Sequence, residues 1–461
     1  MKAFFRGLGR NVDGGPVLGE QVRAGGVDRA VLIYGLLWMV YIVTQFRMPW
    51  TPLTYSEEAP TGGIRQVFFT LGVMFAMRRL IYTRTTNQIL GMHMGGLLLG
   101  ILLVASVLWS TDPTLTIKRS MVYVFGYLMI LSLVHVPKWP LRYYMVVIVN
   151  GMGWIAWISI IAYFVFPKSC TTLSIRPGLA GLTVHPNVFG PCLEMAWGIG
   201  LGMPCWTRFQ KGHKYFLMAG LMIALLMSNS ITALIATVVA TGLYVVLTTD
   251  SYKSGVLILA ALAGGAIVQF IGLSNLKSFF FQLVGRDESM SGRDTLWSDV
   301  FNAGMLSPVF GSGYGAFWYE GRGRELTGTW NPRQAHNAYI DVFVDIGVLG
   351  LLLVLIVVHY KMVSAWQNHA GKRGTRQRNA VAAFVSMGVG LCFIGAFGES
   401  FLLKLDKFQF FCFFWGIMVL ENYDKNNVTA EFAALDIEHP VVAKNKKRKL
   451  VKTPMIRPAP T

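Results

Sequence analysis

Charge is scarce in this sequence. Only 14% of its 461 residues are Asp, Glu, Lys or Arg, where a water-soluble domain carries about a quarter. That deficit leaves too few ions to coat a surface facing water, and it excludes a string of ordinary soluble domains. Acids are scarcer than bases, 23 against 41, for a net charge of +18. On a soluble chain such an excess would point to nucleic acid, but no nucleic-acid module stands in the sequence. In a membrane protein it marks inner loops and anionic headgroups instead. Cysteine is also sparse. Cys170, Cys192, Cys205, Cys392 and Cys412 show no CxxC spacing and lie mostly in apolar runs, so neither a metal site nor a disulfide framework is expected. Walker loops, Rossmann-type segments and acidic metal pairs are missing, as is any evident internal repeat. An enzyme built on this chain therefore does not draw ATP or a nucleotide-sugar from a cytoplasmic domain, and the inverted-repeat transporter plan loses its usual signature.

What the chain has in abundance is apolar length: 54% of residues are hydrophobic and the mean hydropathy is +0.49. A helix needs about 20 residues to cross the hydrocarbon core. The apolar runs are Ala30–Phe46, Ile64–Met77, Ile89–Trp109, Met121–Val136, Tyr143–Phe166, Val188–Trp206, Tyr215–Met227, Ile231–Thr248, Gly255–Leu273, Ala338–Tyr360, Ala380–Gly398 and Phe408–Leu420. They predict an all-α, polytopic membrane protein of about 12 spans. The polar triplet Ser228-Asn229-Ser230 divides Tyr215–Thr248 into two spans, and the basic bias supports this. With both termini inside, most of the 41 basic residues fall on inner segments, including the KNKKRK run of the tail. The expected organisation is a basic cytoplasmic tail (1–29), helices one to nine (30–273), one large periplasmic loop (274–337), three further helices (338–421) and a second basic tail (422–461).

This topology sorts the histidines, and only His185 and His336 sit at the outer face. Each directly precedes a span, in His185-Pro186-Asn187 and in His336-Asn337. Asn337, Asp341 and Asp345 are spaced i, i+4, i+8 and share a helix face. Glu194 lies two turns below Asn187 on a similar face. Intramembrane carboxylates are costly and usually face a cavity or a partner, so a polar cavity opening outward is expected. The same residues could alternatively serve only to pack the bundle. Within the large loop, Arg293 offers a planar fork of donors suited to phosphate oxygens. Arg333 and, in the other outer segment, Arg176 could converge with it. The Gly311-Ser312-Gly313-Tyr314-Gly315 piece lacks the βαβ context of a dinucleotide fingerprint, and its glycines would let backbone approach a ligand.

In this order and placement, several short motifs resemble the O-antigen ligase / polysaccharide polymerase superfamily, nearest its Wzy/ExoQ-type exopolysaccharide polymerase branch. They are Gly292-Arg293 with Trp297, Phe310-Gly311-Ser312-Gly313-Tyr314-Gly315 with Phe317-Trp318, and His336-Asn337 with Asp345, Gly347 and Gly350. His185-Pro186-Asn187 and Trp109-Ser110 with Asp112-Pro113 add to them. The resemblance spans roughly residues 88–399. One position departs from it, because Ser228-Asn229-Ser230 is followed by Ile231 where the superfamily often carries a basic residue.

The resemblance implies a lipid-donor, GT-C-like glycosyltransferase of the bacterial inner membrane that uses no metal and no cofactor. Its donor would be an undecaprenyl-diphosphate-linked oligosaccharide. Its neighbours would be membrane lipids, a flippase and a chain-length regulator. On this reading the chain is a repeat-unit polymerase, with an O-antigen ligase acting on lipid A core as the alternative and a transporter of lipid-linked glycan as the alternative of another class. Arg293 would clamp the diphosphate. His336 would act as general base or as a donor to the diphosphate. Arg176, Arg333, His185, Asn187, Asn337 and Tyr314 would bind diphosphate or substrate, and Asp341, Asp345 and Glu194 would orient the site.

Overall fold

The computed structural model describes residues 24–44, 48, 50, 62–83, 93–135, 140–171, 178–249, 293–328, 331–370, 374–422 and 431–433. Among these, helices dominate, and the sole β pairing is a single antiparallel bridge between Thr171 and Leu179. The described part of each predicted apolar run is largely helical, except for Gly255–Leu273, which lies outside the described residues together with 274–292 and most of both tails. Among the described residues, five helical stretches are by length and composition apolar enough to cross a membrane: Pro113–Val134, Pro140–Val165, Ile231–Thr248, Ala338–His369, which a break interrupts, and Arg376–Phe397.

In chain order the described elements begin with α1 (Ala24–Thr44), α2 (Gly62–Thr83), α3 (Met94–Ala105), α4 (Pro113–His135) and α5 (Pro140–Val165). They continue with α6 (Pro186–Gly202), α7 (Arg208–Ser228), α8 (Ile231–Thr248), α9 (Arg293–Gly304) and the short α10 (Arg322–Thr327). The last are α11 (Ala338–Val354), α12 (Lys361–His369), α13 (Arg376–Phe393) and α14 (Phe408–Asn422). Helix α6 is central and packs on α5, α7, α8 and α13. Small residues make this possible, as is usual where helices must approach closely in lipid. A Cβ on Gly202 would come within 2.2 Å of the Asn379 carbonyl of α13, and one on Gly190 within 2.5 Å of Ser230. Helix α14 inserts Phe410, Phe413, Phe414 and Trp415, all buried, and Phe413 stacks on Phe384 of α13 at 5.7 Å.

The Ser228-Asn229-Ser230 break is present. Asn229 takes a left-handed conformation (φ 54°) at the C-cap of α7, and α8 starts at Ile231. Such a conformation comes cheaply to Asn.

A second break falls where the sequence predicts one uninterrupted span, Ala338–Tyr360. Ile346 (φ −132°) and Gly347 (φ 67°, ψ −172°) leave helical geometry inside α11. The Tyr339 hydroxyl lies 2.8 Å from Nε2 of His359, twenty residues later. On a straight helix those positions would be about 30 Å apart, so the chain folds back sharply at Gly347. The expected single span is thus two arms, and the first, 338–345, is too short to cross a bilayer. Where the arms meet, the freed amides of Val348 and Leu349 donate to the carbonyls of Pro308 (2.8 Å) and Val309 (3.4 Å).

Five connecting segments gather at one end of the bundle. Trp109 donates to the Phe310 carbonyl at 2.9 Å, Thr111 N to Ser312 O at 2.9 Å and Leu179 N to Met227 O at 2.8 Å. Tyr314 hydroxyl donates to Leu403 O at 2.7 Å, and Thr232 packs on Gly398. Elsewhere Glu421 of α14 pairs with Lys361 of α12 and with His93 Nδ1 at 3.4 Å, tying three helix ends together. Arg142 and Arg376 both lie over the Trp206 ring, at 5.0 and 5.4 Å.

Gly347 is therefore expected to be intolerant. A Cβ there would lie 2.1 Å from the Val309 carbonyl, and the positive φ adds strain. Gly347→Ala should lower the melting temperature in detergent by several degrees, roughly what a loss of 1–3 kcal/mol produces. Gly212→Ala, where nothing lies within 4 Å, should not. Equal effects from the two substitutions would contradict this account.

Candidate functional site

His336 stands just ahead of α11 with φ 51°, a conformation that costs a non-glycine residue strain unless its neighbours hold it. They do so on both sides. Asn337 caps α11, its side-chain oxygen accepting from Tyr339 N (3.1 Å) and Ile340 N (3.3 Å). Asp341, one turn in, is 4% exposed; its Oδ1 accepts from Ala335 N (2.9 Å) and from the Trp318 indole (2.8 Å). The buried carboxylate thus grips the chain immediately before the histidine, while Lys404 Nζ lies 3.8 Å from its other oxygen.

The half-buried His336 ring has Gln334 and Glu399, from different parts of the chain, among its neighbours. Gln334 Nε2 is 3.3 Å from His336 Nδ1 and 3.5 Å from Glu399 Oε2. Glu399 Oε2 is 3.7 Å from the same ring nitrogen. Glu399 follows α13 and belongs to the segment 399–407, which also brings Lys404 against Asp341. The sequence reading did not single out Gln334, Glu399 or Lys404. The available signal was the charge density of Glu-Ser-Phe-Leu-Leu-Lys-Leu-Asp-Lys between two apolar helices.

The outward polar cavity expected from Asn337, Asp341 and Asp345 is not what these carboxylates face. Asp341 and Asp345 line a cavity of about 10 Å³ with Tyr314, Ser400 and Lys404, room for about one water. Asp345 Oδ1 has no hydrogen-bond partner among the described residues. Glu194 does not join them. It is buried in α6 against Gly390 of α13, its Oε1 likewise without a hydrogen-bond partner among the described residues.

Other predicted residues occupy structural posts. Tyr314 is buried, its amide donating to Ser106 Oγ (3.0 Å) and its hydroxyl to Leu403 O. The glycines around it all have positive φ, yet they meet the protein itself and no open cleft: Gly311 abuts the Asp345–Ile346 peptide, Gly313 Ser110 and Gly315 Arg119. His185 caps α6, its Nδ1 accepting from Asn187 N at 3.1 Å, with Pro186 opening the helix. Arg333 is exposed, next to Gln334. Arg293 opens α9, its side chain lying outside the description, and Arg176 lies outside the described residues. In the same loop, the Tyr319 hydroxyl and Arg322 donate to Glu325 and hold its carboxyl below the usual range.

Beside the histidine the surface changes character. An open cavity of about 490 Å³ lies in the angle between the arms of α11 and under α9, lined by Phe301, Met305, Pro308, Tyr339, Ile340, Phe343, Val348 and Leu351 with no polar surface. Tyr339, three residues past His336, forms part of its wall.

Removing the Asp341 carboxyl should therefore unsettle the histidine's backbone. Asp341→Ala strands the Ala335 and Trp318 donors and is expected to cost about 2–3 kcal/mol. Asp341→Asn, which keeps an acceptor oxygen, should cost less than half as much in denaturant or thermal unfolding. The reverse ranking would remove Asp341 from this role.

Comparison with known proteins finds similarity in this part of the chain. Residues 216–355 match the family described as O-antigen ligase; this range holds α9 and the histidine. The chain is 27% identical over 201 residues to the exopolysaccharide production protein ExoQ of Rhizobium meliloti (strain 1021). That similarity covers 40% of this chain and 45% of ExoQ, so the chain matches less than half the length of its curated relative. With the ordered motifs and the helical architecture, these matches show that the chain is similar to the O-antigen ligase / polysaccharide polymerase superfamily over part of its length.

Proposed function

We propose that the protein is a membrane polysaccharide polymerase, joining repeat units carried on a polyprenyl diphosphate. One observation carries this reading: the His336–Gln334–Glu399 group stands at the head of α11, the helix whose Tyr339, Ile340 and Phe343 wall an apolar groove. An amphiphile with a charged head and a long hydrocarbon tail matches both surfaces at once. Pockets for polar metabolites, by contrast, place several convergent polar groups inside.

In the reaction the acceptor hydroxyl oxygen bonds to the anomeric carbon of the donor glycan. The bond from that carbon to the diphosphate breaks, and its electron pair leaves with the diphosphate. Stabilising the charge that grows there is the strongest lever available to the protein. Arg293, at the head of the helix that walls the groove, is assigned to the diphosphate, with Arg333 and Arg176 in support. His336 acts at the same centre, and Asp341 holds its backbone. His185 and Asn187, at the head of α6, are assigned to the acceptor glycan. The proposed setting is the bacterial inner membrane, with termini in the cytoplasm, chemistry on the periplasmic side, and a flippase and a chain-length regulator as neighbours.

Similarity to an exopolysaccharide production protein favours another lipid-linked repeat as acceptor. The match to the O-antigen ligase family sustains a second reading, transfer to lipid A core by the same donor chemistry.

Purified protein in lipid, given only its lipid-linked repeat unit, should produce a ladder of lipid-linked multimers. Arg293→Ala and His336→Ala should each reduce the rate at least about 100-fold. Transfer only when lipid A core is added would move the assignment to ligase, and movement of labelled lipid between leaflets without any product would make it a transporter. The groove has its own check. Leu351→Trp, which fills the cavity, should raise KM several-fold for a long-chain donor and leave a short-chain analogue little changed. If both donors respond alike, the tail does not lie there.

A further inference from the structure

Three buried polar atoms belong to residues that line one small cavity, and each lacks a hydrogen-bond partner among the described residues: Asp341 Oδ2, Asp345 Oδ1 and Ser400 Oγ. Their residues are 4%, 6% and 4% exposed. The cavity measures about 10 Å³, close to the space that one water molecule needs. Lys404 also lines it, with Nζ 3.8 Å from Asp341 Oδ2. That is too long for a direct hydrogen bond, and a polar gap of this width is one that a water can bridge.

The four groups divide evenly by chemistry. The two carboxylate oxygens accept, whereas the Ser400 hydroxyl and the Lys404 ammonium have hydrogens to give. A ligand that complements them offers two hydrogens and two lone pairs, which describes water. An anion would meet two carboxylates. A metal cation has no hydrogen to give and would stand beside the ammonium that already faces Asp341. Dry cavities are apolar, and here dryness would leave all three orphan atoms unsatisfied.

We propose that the cavity is a binding site for a single water molecule, which donates to Asp341 Oδ2 and Asp345 Oδ1 and accepts from Ser400 Oγ and Lys404 Nζ. Those partners belong to two segments, the first arm of α11 and residues 399–407. Asp341 holds the Ala335 amide next to His336, and Ser400 follows Glu399. The water thus fastens together the two segments that bring Glu399 within 3.7 Å of the histidine. The second segment needs such a fastening. Leu403 stands at φ 63°, a conformation that a bulky residue keeps only where its surroundings hold it. The Tyr314 hydroxyl donates to its carbonyl at 2.7 Å, and the water engages Ser400 and Lys404 on either side of it.

The direct test is a cryo-EM structure of the full-length protein in a lipid nanodisc, at a resolution that shows ordered water. One density peak should stand within about 3.2 Å of all four atoms and should not strengthen when rubidium replaces sodium in the buffer. A peak that does strengthen would make the ligand a cation. Direct contact between the two carboxyl oxygens would make it a shared proton, and no peak at all would make the cavity dry; each of these overturns the proposal. Unfolding measures the fastening. Asp345→Leu removes an acceptor and fills the space, expelling the water. Ser400→Ala should lower the melting temperature of the unaltered protein by about 2 °C. It should leave that of Asp345→Leu unchanged, because there the hydroxyl has already lost its partner. Equal losses on both backgrounds would show that no ligand joins the two residues. Were Asp345→Leu to fail to fold, the density peak alone would decide. Both readouts use the protein without substrate, so they stand or fall independently of glycosyl transfer.

Discussion

The site depends on a glycine α-carbon packed against a carbonyl oxygen, Gly347 against Val309. A helix that breaks within an apolar bundle frees backbone amides, and hydrocarbon offers them no partner. Here the loop supplies the partners, since the Pro308 and Val309 carbonyls accept from Val348 and Leu349. The break in α11 and the fold of the preceding loop are therefore one structure. The same contact opens the angle between the arms of α11 that becomes the apolar groove, and it turns the first arm so that its N-terminus, with Asn337 and His336, meets the segment after α13.

Buried carboxylates show how the bundle distributes polar groups. Asp341 is matched on one oxygen by two donors and faces Lys404 with the other. Glu421 is held between Lys361 and His93 where three helix ends meet. Both tie together elements that hydrophobic packing alone would leave free to slide, because dispersion between apolar helices and lipid tails discriminates poorly between registers. Asp345 and Glu194, like Asp341 at Oδ2, each have an oxygen without a hydrogen-bond partner among the described residues; Asp341 differs in the two donors on its other oxygen and in Lys404 Nζ 3.8 Å from this one. Their spacing on the sequence resembles that of Asp341, but only the fold distinguishes a gripped carboxylate from an unsatisfied one.

That contrast explains what was legible in advance. Helices were legible because hydrocarbon imposes a length on every crossing, and the Ser-Asn-Ser interruption because polar residues seldom sit in such a run without a turn. His336 and Asn337 stood out by preceding a span, and the helix cap at Asn337 is a local property of that sequence. The fold-back at Gly347 was not legible. Ile346 and Gly347 lie inside an apolar stretch whose composition suits a straight crossing equally well, and only the carbonyls of residues 308 and 309 make the bend favourable. Glu399 was hidden for a related reason: 63 residues separate it from His336, and no spacing rule links the ends of non-adjacent helices. The glycines of 311–315 misled in the opposite direction. Their positive φ values were foreseeable, but a close approach can serve a ligand or the protein's own packing, and here Gly311 meets the Asp345–Ile346 peptide, Gly313 Ser110 and Gly315 the Arg119 side chain.

The missing basic residue after Ser230 can be understood in the same terms. The turn at 228–230 is a packing device whatever follows it. The Ser228 carbonyl sits against Gly178, Ser230 fills the space beside Gly190, and Met227 O accepts from Leu179 N. These contacts join the start of α6 to the head of α8, and none of them needs a cation. The next residues then lead to the site: Thr232 rests on Gly398, whose neighbour Glu399 faces His336. Other cations serve this end of the bundle: Lys404 faces Asp341, and Arg119 of α4 donates to the Gly315 carbonyl. Positive charge thus reaches this end of the bundle from α4 and from the segment after α13. The turn keeps its shape and leaves the electrostatics to other segments.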